Sequence, residues 1–230
     1  MRRIIGPLLI GVLGTAVLIA LGVWQVQRLA WKEGVLADIE ARIAAPPVPL
    51  PADPDPEADR YLPVAVTGEI GDEELHVLVS TRAEGPGFRV IAPLTLAEGR
   101  RVLLDRGFVR DEAKEAARPT GEARIEGNLH WPDEVDRFTP EPDPGENIWF
   151  ARDVPAMAEA LGTEPVLVVA RETSLSAPGL TPLPVDTSGI PNDHLEYAVT
   201  WFGLAAVWAA MSVFLIRRTL GRTGRRDSLS

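Results

Sequence analysis

PNDHLEYAVTWFGLAAVWAAMSVFLI, residues 191–216, is followed at once by Arg217 and Arg218. From Leu195 to Ile216 it carries a single charge, Glu196, near one end. At a rise of about 1.5 Å per residue, a helix over these positions crosses a hydrocarbon core of roughly 30 Å. The stretch predicts a transmembrane helix over 194–216, so the rest of the chain is a second anchor or a domain held between two anchors. One of only three histidines, His194, stands at its start.

The second apolar run, 4–27, follows Arg2 and Arg3 and is uncharged throughout. A cleaved signal peptide has a basic start but an apolar core of only about 7–15 residues and a small-residue cleavage site. This run is longer and no such site precedes Arg28, so an uncleaved transmembrane helix is expected. Charge sets the orientation. Residues 28–193 hold 16 Lys+Arg against 31 Asp+Glu, whereas the flanking ends hold 7 basic and 2 acidic residues. Basic residues beside a span mark the cytoplasmic side, so both termini are expected inside and the acidic middle outside. With no presequence ahead of the first span, a bacterial inner membrane with a periplasmic central domain is the expected setting. An acidic middle argues against nucleic acid as a partner and leaves membrane lipid as the surrounding one.

Several chemistries are disfavoured. With no Cys there is no disulfide, thiolate metal site or cysteine nucleophile, and three Met are few for a Cu(I) carrier. No Gly-rich phosphate loop or nucleophile elbow is present, and His76 and His130 belong to no metal-spaced cluster. Both read as surface or hydrogen-bonded structural histidines, and the Glu73–Glu74 pair as solvated charge in a turn. The segments beyond the spans are too short for a signalling domain, so a sensor is disfavoured, and no enzyme activity is expected.

Between the spans the helical pattern continues over 28–45 and stops in a Pro-rich linker, 46–60, where prolines remove backbone donors. β-Branched runs at 61–70, 74–81, 88–96, 101–109 and 122–131, separated by turn signals, predict strands. After an acidic loop over 132–146, IWFAR reads as a short strand, Asp153 as the cap of a helix ending at Gly162, and 165–173 as the last strand. This makes 61–173 a β-rich domain, 174–193 a connector and 217–230 a basic tail. The expected fold class is a membrane protein of α+β type: a two-helix transmembrane hairpin with a periplasmic, mostly antiparallel β domain, a meander or partly closed barrel, and one or two short helices. Gly11, Gly14, Thr15 and Gly22 on the first span, and Ala205, Ala206, Ala209 and Ala210 on the second, suit close packing of the hairpin.

Four stretches, LGVWQVQRLAWK (21–32), LLDRGFVR (103–110), NIWFARDVPAMAEALG (147–162) and PNDHLEYAVTWFGLA (191–205), resemble the Surfeit-locus (Shy-type) family of cytochrome c oxidase assembly factors. The likeness runs in order through essentially the whole chain. It departs at Phe108 and Arg110, where the family more often has Trp and Pro, and at Ile70, where an aromatic is common. The resemblance implies a chaperone in respiratory-chain biogenesis that handles haem a between haem A synthase and cytochrome c oxidase subunit I. It also implies His194 as the haem axial ligand, since neutral imidazole is a standard ligand for haem iron. On a helical wheel Trp201, Ala205, Trp208 and Tyr197 fall near His194, an aromatic wall beside small residues. Trp24 and Arg28 on the first span emerge on the same side, Arg28 within reach of propionates. Plainer readings stay open: His194 flanking a helix start, Arg28 paired with Glu196, the tryptophans as packing or interfacial belt. The alternative function is a cofactor-free membrane scaffold that stabilises nascent oxidase subunits.

Overall fold

The structure is a computed structural model describing residues 2–82 and 84–227. It divides into two compact units. One comprises the chain up to Asp38 together with the chain from Ser188 onward, and the other is Ile39–Thr187.

The first unit is helical. α1 (Arg2–Ile43) begins here and runs on into the second unit, and α3 (His194–Asp227) follows the connector. Both contain stretches long and apolar enough to cross a membrane, Ile5–Ile43 and His194–Leu220. At 42 residues α1 is about 63 Å long, roughly twice a hydrocarbon core. α1 runs without interruption through residue 28, and its sole proline, Pro7, lies near the N-terminal end.

The second unit is a mixed seven-stranded sheet. Its strands are β1 (Pro63–Ile70), β2 (Leu75–Thr81), β3 (Gly85–Leu96), β4 (Arg101–Arg110), β5 (Gly121–Leu129), β6 (Ile148–Trp149) and β7 (Leu167–Thr173), in the order β1-β5-β7-β4-β3-β2-β6. β1 pairs antiparallel with β5 along its whole length, and over Gly68–Ile70 it also pairs with β3. That double pairing closes β1, β5, β7, β4 and β3 into a five-stranded ring, with β2 and β6 as a flap beyond β3. A Cβ at Gly68 would lie 2.5 Å from the Thr95 carbonyl oxygen, so only glycine lets β1 approach β3 at the closure. The ring interior is filled by inward positions of all five strands, including Val64, Leu94, Leu104, Ile125 and Val168.

The mostly antiparallel expectation holds for five of the seven partnerships, and a simple meander does not form. β7 enters between β5 and β4, running parallel to β4, and β6 pairs parallel with β2. The chain can make these crossovers because α2 (Val154–Leu161) and the long loop before it provide the required length. The Asp153 side chain accepts a hydrogen bond from Ala156 N, and Gly162, at φ 59°, ends the helix, as the sequence predicts. Met157 and Leu161 pack with Ile91, Leu103 and Leu167 on the outside of the ring. The Pro-rich segment is not a free tether: Val48 N donates to Pro63 O and Val48 O accepts from Ala65 N, which adds one bridge at the edge of β1.

Candidate functional site

On the helical unit, α1 buries Gly11, Gly22 and Gln25, with Gly14, Thr15 and Leu18 half-buried; α3 buries Ala198 and Ala205, with His194, Trp201, Ala209 and Ser212 half-buried. Gly11, Thr15, Leu18, Gly22 and Gln25 on α1, and His194, Ala198, Trp201 and Ala205 on α3, are spaced alternately by four and three residues, the seven-residue pattern of helices packed with a left-handed twist. A Cβ at Gly14 would sit 2.4 Å from Trp208 Nε1 and one at Gly22 2.7 Å from the Phe202 ring, so glycines on α1 make room for aromatics on α3. The expected aromatic wall is therefore not open. The face carrying His194, Trp201 and Ala205 is the packing face of the pair, because small Ala at 198 and 205 brings the helices together.

His194 is the first residue of α3. Pro191 precedes it by one turn, and the Asp193 carbonyl accepts the Tyr197 N–H at 3.2 Å, which fixes the first turn. The imidazole Nδ1 lies 2.8 Å from Gln25 Oε1. An amide oxygen can only accept, so this contact places a proton on Nδ1, and in the neutral tautomer that it selects the lone pair is on Nε2. Among the described residues Nε2 has no hydrogen-bond partner. Trp24, beside Gln25, and Tyr197, one turn beyond His194, are more than half exposed. Arg28 places its guanidinium 4.0 Å over the Trp31 ring rather than beside Glu196. The structure thus joins His194 to Gln25, leaves Trp24 and Tyr197 exposed near them, turns Trp201 into the helix pair and keeps Arg28 on Trp31.

Gln25 was not among the residues singled out from the sequence. The available signal was a pair of amides, Gln25 and Gln27, closing an otherwise apolar run, since an amide is costly in a membrane unless it finds a partner.

A second polar constellation lies in the β unit and explains LLDRGFVR. Between β3 and β4 the register slips at Val90/Ile91, so Arg106 is an extra residue in a bulge. The bulge sends neighbouring charges different ways. Asp105, fully buried, accepts from Arg89 Nη1 at 2.6 Å and from Gly107 N at 3.0 Å. Arg106 donates to Glu74 Oε1 at 2.9 Å while Arg118 donates to Glu74 Oε2 at 2.6 Å. Gly107, at φ 122°, lies so close to Thr181 that a Cβ would clash with its carbonyl oxygen, and Phe108 exchanges backbone hydrogen bonds with Thr181.

Glu74 is thereby a correction to its reading as solvated turn charge. Burial pushes its carboxyl up, but the His76 imidazole and the Arg118 and Arg106 charges outweigh this and hold it below the usual carboxylate range. His76 is buried, with Nδ1 3.4 Å from Asn147 Nδ2. This constellation ties β2, β4, β6 and the 111–119 turn together and has no open face for chemistry.

A model of the SURF1 family matches residues 12–206, most of the chain. The chain belongs to the SURF1 family. Surfeit locus protein 1 of Rattus norvegicus is 32% identical over 226 residues, covering 88% of this chain and 72% of the relative. Surfeit locus protein 1 of Homo sapiens is 35% identical over 210 residues, covering 81% and 69%. A SURF1-like protein of Monosiga brevicollis is 35% identical over 225 residues, covering 90% and 86%. The span matched by the SURF1 family model contains Trp24, Gln25, Arg28, His194, Tyr197 and Trp201.

Proposed function

We propose that this SURF1-family chain is an assembly factor for haem–copper cytochrome c oxidase, holding haem a through His194 Nε2 and passing it to subunit I. Family membership supports the assembly role, and the observation carrying the haem reading is the His194–Gln25 contact, which orients the ring and engages Nδ1, so that Nε2 is the nitrogen turned to a ligand. The donor set fits the group: an imidazole at the end of an apolar helix pair, with exposed Trp24 next to Gln25 and exposed Tyr197 one turn from His194. Haem iron, if bound, would take one such nitrogen as a ligand.

The protein's own contribution is to hold that nitrogen. Gln25 Oε1 accepts the hydrogen bond from Nδ1–H, the Ala198 and Ala205 contacts fix the helix that carries the ring, and Arg28 adds a positive charge on the same side for acidic groups on a cargo. No bond of the cargo is made or broken, so the reading is of a carrier without turnover. The charge asymmetry of the chain supports both termini in the cytoplasm and the β unit in the periplasm of a bacterial inner membrane. Haem A synthase as donor and oxidase subunit I as acceptor complete the reading.

The scaffold reading draws support from one observation: the His194, Trp201 and Ala205 face is spent on packing α1. The two separate on purification from cells that make haem a. The expected result is a coloured complex whose absorbance His194→Ala removes; colourless wild-type protein would leave the scaffold.

A further inference from the structure

In the β unit, the chain enters and leaves on one side. The Thr187 hydroxyl donates to Glu40 Oε1 at 2.6 Å, and the Ile43 carbonyl accepts from Asn128 Nδ2 at 3.1 Å. The connector is tied to the sheet here too, since Arg89 Nη1 donates to Leu183 O at 2.9 Å. Around Arg89 lie Asp105, Arg152, Glu134, His130 and Arg60.

Of the three guanidiniums, two hold the two carboxylates. Arg89 takes Asp105, and Arg152 grips Glu134 with its side chain while its backbone N donates to the same carboxylate at 2.9 Å. Arg152 also lies 3.9 Å from Asp105. Burial pushes the Glu134 carboxyl up, but the Arg152 hydrogen bonds and charge hold it below its ordinary range. Both carboxylates are therefore committed.

The third guanidinium is left over. Arg60 is half-buried, makes no hydrogen bond or ion pair among the described residues, and buries Nε without a partner. Its neighbour Tyr61 stacks on the His130 ring at 5.4 Å between centroids, and His130 buries Nδ1, also without a partner. Burial, and then the charges of Arg152 and Arg60, push the His130 imidazole down to about 4. Two shielded nitrogens and an uncompensated positive charge thus occupy one corner. Water would satisfy the hydrogen bonds and leave the charge; an oxyanion answers both, being negative and rich in acceptor oxygens.

We infer that Arg60 and His130, with Arg152 and Arg89 behind them, form a binding site for an oxyanion of the phosphate type. The inference is independent of the haem reading, since it uses no residue of the helix pair. The group is either free in solution or carried on a lipid headgroup.

The test uses the full chain in non-ionic detergent and inorganic phosphate as the probe, with ionic strength matched by chloride. The expected result is a saturable shift of the His130 ring protons in NMR and a rise in its titration midpoint by about one unit, since a bound anion favours the protonated ring. Arg60→Gln abolishes the saturable response, and Arg60→Lys, which keeps the charge and lacks the Nε–H, weakens binding roughly tenfold. Arg60→Lys carries the test if Arg60→Gln does not fold. A response that is unsaturable and equal in the wild type and the variants is ionic screening and overturns the site. Nanodiscs separate the sources. If a lipid headgroup is the ligand, the shift is already present in phosphatidylglycerol discs and added phosphate changes nothing. If free phosphate is, phosphatidylglycerol and phosphatidylcholine discs respond alike.

Discussion

Gln25 and His194 stand 169 positions apart in sequence and share one hydrogen bond. A buried amide that loses its partner keeps its desolvation cost, while the imidazole regains a free choice of tautomer and rotamer. Gln25→Leu is therefore expected to weaken haem retention about 10-fold or more, in the range seen for groups that orient metal ligands. Gln25→Glu, which still accepts from Nδ1, should retain most of it. Haem absorbance per mole of purified protein reads both. Equal retention in Gln25→Leu and wild type would reduce the amide to packing. His194 could be found in the sequence because a rare residue type stood at a conspicuous helix start. Gln25 could not, because the rotational phase between two distant helices is written in no local spacing. Glu74 was hidden for a similar reason: its arginine partners lie 32 and 44 residues further on, and a turn rich in acids looks solvated until they arrive.

Within the helix pair, the heptad spacing assigns different work to the glycines. Gly14 accommodates the Trp208 indole, whereas nothing lies within 4 Å of a Cβ placed at Gly34. Gly14→Leu is expected to weaken association of the helices by about 1–3 kcal/mol, the usual range for forcing extra methylenes into a packed site. Gly34→Ala should leave association unchanged. Disulfide trapping between cysteines placed on α1 and α3 would read the difference, and equal trapping in both variants would remove the packing argument. For the strands, alternation located most of the pairing segments, as in Val64 and Val66 facing the ring interior. It could not give their order. Short turns favour antiparallel neighbours, and the insertion of β7 beside β4 depends on a crossover through α2 whose landing place no strand pattern specifies.

At the scale of the molecule, the β unit should respond to acid through His130. The folded value of about 4 lies below the ordinary 6.5, so between these pH values the unfolded chain binds a proton that the folded chain does not. Stability from this residue is complete above pH 6.5 and falls by up to about 3 kcal/mol as pH drops to 4. Glu74 and Glu134, both held below their ordinary values, continue the decline at lower pH. Hydrogen-exchange protection of the barrel strands in the detergent-solubilised chain should fall through this window. His130→Phe, which keeps a ring to stack on Tyr61, should flatten the upper limb; an unchanged slope would mean another group titrates.

The bond between Thr187 and Glu40 bears on chain statistics. It brings together residues 147 positions apart. A floppy loop of that length would penalise pairing of the flanking helices by roughly 3 kcal/mol relative to one of about six residues, by the logarithmic cost of closure. A folded unit whose two ends are fastened to each other cancels that penalty. To the helices, an entire barrel then counts as a tight turn.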